Sequence, residues 1–192
     1  VVPGHRTAFF HKGDYTNTFA RKMETPKARA QYMWYNDEMP YTLENSIRAD
    51  IAGQVLDMIY LKKIREEASA AYSVSAIGRA QLREDKTHSM MLYAVCPMKP
   101  EKRQEAVSIL EQEVKDLANT CDASMVAKIK ELMLKQADDA VKSNGYWYNV
   151  IEMYDKYGID SHSDYKKLIE AQTPETICSF MKEFNKNGNR LG

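Results

Sequence analysis

The chain has 192 residues, 44% of them hydrophobic, with 27 basic and 27 acidic side chains and no net charge. That length fits one large domain. Charge balance without a long basic run leaves no electrostatic footprint for nucleic acid or an anionic membrane surface. No apolar run is long enough to insert in a membrane, because charges interrupt every candidate, including Ile51–Tyr60.

Residues 1–25 are polar and turn-rich, with Gly4, Gly13-Asp14-Tyr15-Thr16-Asn17 and Lys22-Met23-Glu24-Thr25-Pro26. They read as a linker from a preceding domain, with one short edge strand near Asn17–Lys22. From Lys27 to Tyr35 the chain alternates. Ala28, Ala30, Tyr32 and Trp34 fall on one face and Arg29, Gln31 and Met33 on the other, the period of a strand. Thr42 then caps a helix with Glu44 in its first turn. Leu43, Ile47, Ile51, Val55 and Ile59 form one stripe along it, and the helix runs to Ile64 or Arg65. Ala71–Arg83 and Thr87–Cys96 read as a hairpin turning at Glu84-Asp85-Lys86, with Met90, Leu92, Ala94 and Cys96 sharing a face.

Pro100 opens a helix striped by Val107, Leu110, Val114 and Leu117. Asp122 caps the next, which carries Val126, Ile129 and Met133. Asn144-Gly145 breaks it before an aromatic-rich helix, Tyr146–Tyr157, whose Tyr146, Trp147, Tyr148 and Tyr154 suit a core cluster better than a ligand-stacking surface. A last helix opens at Thr173-Pro174-Glu175 and buries Ile177, Phe180, Met181 and Phe184, and a strand can begin at Asn189. Local strand pairing followed by a run of helices gives an α+β fold. It is a two-layer sandwich with an antiparallel or mixed sheet and helices packed on one face.

The sequence holds few local motifs that carry chemistry. His5, His11, His88 and His162 have no His or Cys neighbour within four residues, so no helical zinc motif exists. Nucleophile-elbow, phosphate-loop and dinucleotide-binding glycine motifs are absent. Asp138-Asp139 reads as a solvated helical face. Cys96, Cys121 and Cys178 are too scattered for a disulfide framework and read as buried free thiols.

One segment is distinctive: Ile64-Arg65-Glu66-Glu67-Ala68-Ser69-Ala70-Ala71-Tyr72-Ser73-Val74. It resembles the I-R-E-x-x-G-x-x-Y-x-V signature in the non-catalytic halves of pitrilysin/insulinase zinc metallopeptidases. Ser143-Asn144-Gly145-Tyr146-Trp147 with Tyr157-Gly158-Ile159-Asp160 is similar to their late helices. Thr173-Pro174-Glu175-Thr176-Ile177 with Gly188-Asn189-Arg190-Leu191 is similar to the last helix and the start of the final strand. The likeness runs in order from Pro26 to Leu191, with the domain placed at 26–192 and its final strand cut short. One departure stands out. Ser69 occupies a place where the family commonly has glycine, and a turn there with positive φ would strain it.

The resemblance implies a zinc-free C-terminal domain that binds no cofactor itself. Zinc is expected in the N-terminal half of a longer protein. It implies as partners the zinc-bearing domains of the same polypeptide and a peptide substrate, clamped from across the cleft by Arg65 and Tyr72 as transition-state and substrate-stabilising residues. Read from the residues alone, Arg65 can equally pair with Glu66 or Glu67 at a helix end, and Tyr72 can be an ordinary strand aromatic. Two alternatives stand beside the peptidase reading: a catalytically silent scaffold of the same fold, as in core subunits of the respiratory bc1 complex, and an unrelated peptide-binding module.

Overall fold

The computed structural model describes residues 11–192. The alternating segment forms β2 (Ala28–Asn36), following a two-residue β1 (Asp14–Tyr15). The hairpin forms β3 (Ser75–Leu82) and β4 (His88–Met98), and β5 (Asn189–Leu191) closes the chain. The sheet order is β1-β5-β2-β4-β3. β2 pairs antiparallel with both β4 and β5, and β1 pairs parallel with β5, so the sheet is mixed. The edge strand expected at Asn17–Lys22 lies instead at Asp14–Tyr15. A strand two residues long carries no alternation to read, and its position is set by β5, with Arg190 bonding Asp14 through Nε at 2.9 Å.

The helices are α1 (Leu43–Tyr60), α2 (Arg103–Asp116), α3 (Ala123–Ala140), α4 (Asn144–Tyr157), α5 (Tyr165–Glu170) and α6 (Pro174–Phe184). Their caps follow the sequence. Thr42 accepts from Asn45 N at 3.0 Å, Asp122 accepts from Ser124 N at 2.7 Å, and Thr173 forms a reciprocal capping box with Thr176. Asn144 and Gly145 belong to the first turn of α4 rather than to a break before it. Helices cover the face of the sheet that presents Tyr32, Trp34, Ala76, Met90, Leu92, Ala94 and Cys96, all buried. Arg29, Gln31, Arg79 and Gln81 remain exposed on the opposite face.

α1 is the centre of the domain. Its stripe residues Ile47, Ile51 and Val55 are buried, but so are Ala49, Ala52, Gly53 and Leu56, because the helix lies between the sheet and α3, α5 and α6. A helix apolar on most of its circumference belongs in an interior. Two glycines let it approach β3 backbone to backbone. A Cβ on Gly78 would sit 1.7 Å from the Ala49 carbonyl oxygen, and one on Gly53 would sit 1.9 Å from Gly78 N. Asp57 then reaches the edge strand and accepts from Ala76 N at 2.8 Å, satisfying a donor the edge would leave bare. At the far end, buried Asn36 donates from Nδ2 to the Glu183 and Phe184 carbonyls, both at 3.2 Å, and ties β2 to the last turn of α6.

Candidate functional site

The segment singled out in the sequence lies where α1 runs out. After Tyr60 the chain widens into a π-helix, Leu61–Glu67, a form that is rare and frequent at functional sites. Its inner side is anchored. Tyr60 is buried and donates from Oη to the Leu110 carbonyl at 2.8 Å, Ile64 is fully buried, and Lys63 pairs with Glu113 at 2.5 Å. Burial is the main force raising the Tyr60 phenol well above its ordinary pKa, with the Glu113 charge adding to it. Its outer side is free. Lys62 and Glu67 face each other at 4.0 Å, while Arg65 is exposed and has no hydrogen-bond or ion-pair partner among the described residues.

The helix then closes on Ala68, which donates to the Lys63 carbonyl at 3.0 Å, and Ser69 turns left-handed at φ 49°. This is the conformation glycine normally supplies just past a helix end. The expected strain at Ser69 is therefore present, at a cost of about 1 kcal/mol. The tight turn lets Ala70 donate back to the Ile64 carbonyl at 2.9 Å and accept from Lys99 N at 3.0 Å, and Ala71 bridges to Met98. Ala70, Ala71 and Val74 are buried, so the backbone on both sides of Tyr72 is fixed. Tyr72 itself is 85% exposed, with the Lys99 ammonium 5.9 Å from its ring centre. The strand opens four residues later than the sequence suggested, at Ser75, so Tyr72 sits on the turn before it.

Arg65 and Tyr72 thus occupy one helix-to-strand corner, and no hydrogen bond joins them. Neither of the ordinary roles is filled: Arg65 does not pair with Glu66 or Glu67, and Tyr72 does not pack as a strand aromatic. Such a corner can offer a phenol donor and a guanidinium fork to a ligand without first breaking an internal contact.

The other candidates resolve as structure. His11 stacks on Tyr15 at 5.1 Å, His88 opens β4, and His5 lies outside the described residues. His162 bonds Tyr146 Oη through Nδ1 at 2.7 Å and lies against Trp147. Asp139 pairs with Lys142 at 2.8 Å and Asp138 with Lys166, a solvated face as expected. Among the described residues no group of three or more His, Cys, Asp or Glu could hold a metal ion.

Two placements were not legible in the sequence. Cys121 and Cys178, 57 positions apart, are neighbours in the fold, and burial followed by the charge of Cys178 pushes the Cys121 thiol up to about 12. The aromatic residues of α4 do not form a core cluster. No α4 side chain is fully buried, and Trp147, Tyr148 and Tyr154 all count among the exposed large side chains, because no other element of the described chain covers that face.

The family model described as the peptidase M16 inactive domain matches residues 9–133. No curated protein matches the sequence. Among solved structures, the fold is similar to the periplasmic protease PqqL from Escherichia coli, at 19% identity and TM-score 0.74 over 94% of this chain and 20% of that one. It is similar to a mutant of the ferredoxin protease FusC in complex with Arabidopsis ferredoxin, at 20% identity and TM-score 0.75 with the same two coverages. The separately solved first half of PqqL is also similar, at 11% identity and TM-score 0.66 over 88% of this chain and 39% of that one. The chain therefore spans a fifth of the length of the first two proteins.

Proposed function

The chain belongs to the M16 peptidase family through its inactive domain, and we propose that it is the substrate-clamping, zinc-free domain of a longer zinc endopeptidase. In this reading residues 1–25 lead in from a preceding domain, residues 26–192 form the clamp, and the metal belongs to another domain of the same polypeptide. The observation that carries it is the corner built by the signature segment. There Arg65 is unpaired and Tyr72 is 85% exposed, on a backbone pinned by Ile64, Ala70, Ala71 and Val74.

The chemistry asks for such groups. When water attacks a peptide carbonyl, negative charge grows on the carbonyl oxygen. A phenol held by a rigid backbone and aimed at that oxygen stabilises it as it forms, a contribution of about 3 kcal/mol for one preorganised donor. Tyr72 is assigned that role. Arg65 carries a planar fork of donors suited to a substrate carbonyl or carboxylate, and its unpaired state means that binding breaks no existing ion pair. The fixed turn at Ser69 supports the assignment, since it holds the two residues at a set separation rather than on a flexible loop.

Arg65 supplies a direct test in the longer polypeptide. Arg65→Ala is expected to raise KM for peptide roughly tenfold or more, with Arg65→Lys recovering only part of the loss because an ammonium lacks the fork. Steady-state kinetics with both variants at wild-type Tm check this. Unchanged KM in both would instead favour a silent scaffold on the same fold.

A further inference from the structure

α4 stands apart from every other long helix in the molecule. Tyr146, Val150, Met153 and Tyr157 line the side turned toward the domain, yet each is only half-buried. Trp147, Ile151 and Tyr154 recur at i, i+4 and i+7 on another side, with Tyr148 beside them, at exposures of 40, 66, 66 and 65%. A helix with apolar residues on both sides is built to be enclosed. Fourteen residues are too few to hold a helix in water by backbone bonding alone. What holds α4 in place is concentrated at its ends. Trp147 donates from Nε1 to the Val141 carbonyl at 2.9 Å, Tyr146 bonds His162, and Gly158 closes the C-terminus in the left-handed region.

We infer that the Trp147–Ile151–Tyr154 stripe, with Tyr148, is an interface on which another domain of the same polypeptide packs. The inference rests on the proposal that the chain is one domain of a longer peptidase. Two observations select this occupant over a second copy of the chain. The four side chains expose roughly 500 Å², the size of the largest apolar patch a monomer carries, which is often functional, but short of the ~800 Å² per partner of a stable dimer. A partner already tethered in the same chain needs less area, because the linker supplies a millimolar-range effective concentration. In addition, PqqL offers more than one copy of this fold. Its first half matches on its own at TM-score 0.66, while the whole protein matches better, at 0.74, so the better copy lies outside the first half. A chain of that design has a further domain available to cover α4.

Amide hydrogen exchange over residues 144–157 tests this, comparing the 192-residue chain with the longer polypeptide. Exchange should be roughly thirtyfold slower in the longer polypeptide, the effect of covering one strong contact cluster. Ile151→Glu, and independently Tyr154→Ser, should abolish the difference while leaving the Tm of the 192-residue chain unchanged, since both side chains point into solvent there. Equal exchange in the two proteins would overturn the inference. So would protection that survives both substitutions, or protection that appears in the 192-residue chain as its concentration rises, which would identify a second copy. Tyr72→Phe should leave the exchange pattern intact. Slowed exchange beside unaltered kinetics in Tyr72→Phe would therefore refute the clamp while keeping the interface.

Discussion

The long helix that runs from Leu43 to Glu67 is two regions with opposite characters. Its first eighteen residues bury side chains on nearly every side and touch β3 backbone to backbone through Gly53 and Gly78. Its π-helical continuation buries only Ile64 and then delivers Arg65, the strained Ser69 and the exposed Tyr72. In the first region packing accounts for each residue type. In the second, packing accounts for Ile64, Ala70 and Ala71, the left-handed Ser69 makes the turn between them, and an exposed arginine and an exposed phenol are left over. That contrast is what the clamp proposal rests on: packing explains the first region and leaves Arg65 and Tyr72 available to a ligand.

Substitution should divide the two regions cleanly. The largest effect belongs to Gly78→Ala. The added methyl would lie 1.7 Å from the Ala49 carbonyl oxygen, inside a seam of two backbones that cannot yield as a side chain would. Stability should fall by at least about 3 kcal/mol, a large part of what a domain has, with urea unfolding as the readout. A loss under about 1 kcal/mol would show that α1 can slide away from β3 and that the seam is not tight.

A smaller effect of opposite sign is expected at the corner. Ser69→Gly relieves the left-handed strain at φ 49° and should stabilise the chain by up to about 0.5 kcal/mol, the residual after glycine's larger entropy in the unfolded state. A thermal melt showing destabilisation would mean that the serine hydroxyl or Cβ makes a contact that outweighs the strain.

Most of the fold was legible because its elements follow local rules. The alternation of Ala28, Ala30, Tyr32 and Trp34, the caps at Thr42, Asp122 and Thr173, and the stripes of α2, α3 and α6 all depend on spacing within a few residues. What escaped depends on tertiary partners. β1 exists because β5 pairs with it, Cys121 meets Cys178 because α6 folds back beside the α2–α3 turn, and the late start of β3 follows from the Ala71–Met98 bridge. The aromatic residues of α4 misled for a different reason. Their spacing suits burial, but no element among the described residues covers that face. At the candidate site, the sequence pointed to Arg65 and Tyr72 and to strain at Ser69. It could not reveal the π-helix or the absence of a partner for Arg65, since both depend on which groups the fold brings near Leu61–Glu67.

The most direct test of the clamp is the kcat of Tyr72→Phe in the longer polypeptide, measured with the Tm of the same protein. The ring stays and only an exposed hydroxyl is lost, so Tm should hold within the change of about 0.5 kcal/mol typical of surface sites. If the phenol stabilises the developing oxyanion, kcat should drop roughly a hundredfold to a thousandfold with KM little changed. An unaltered kcat/KM at unaltered Tm would contradict the role assigned to Tyr72.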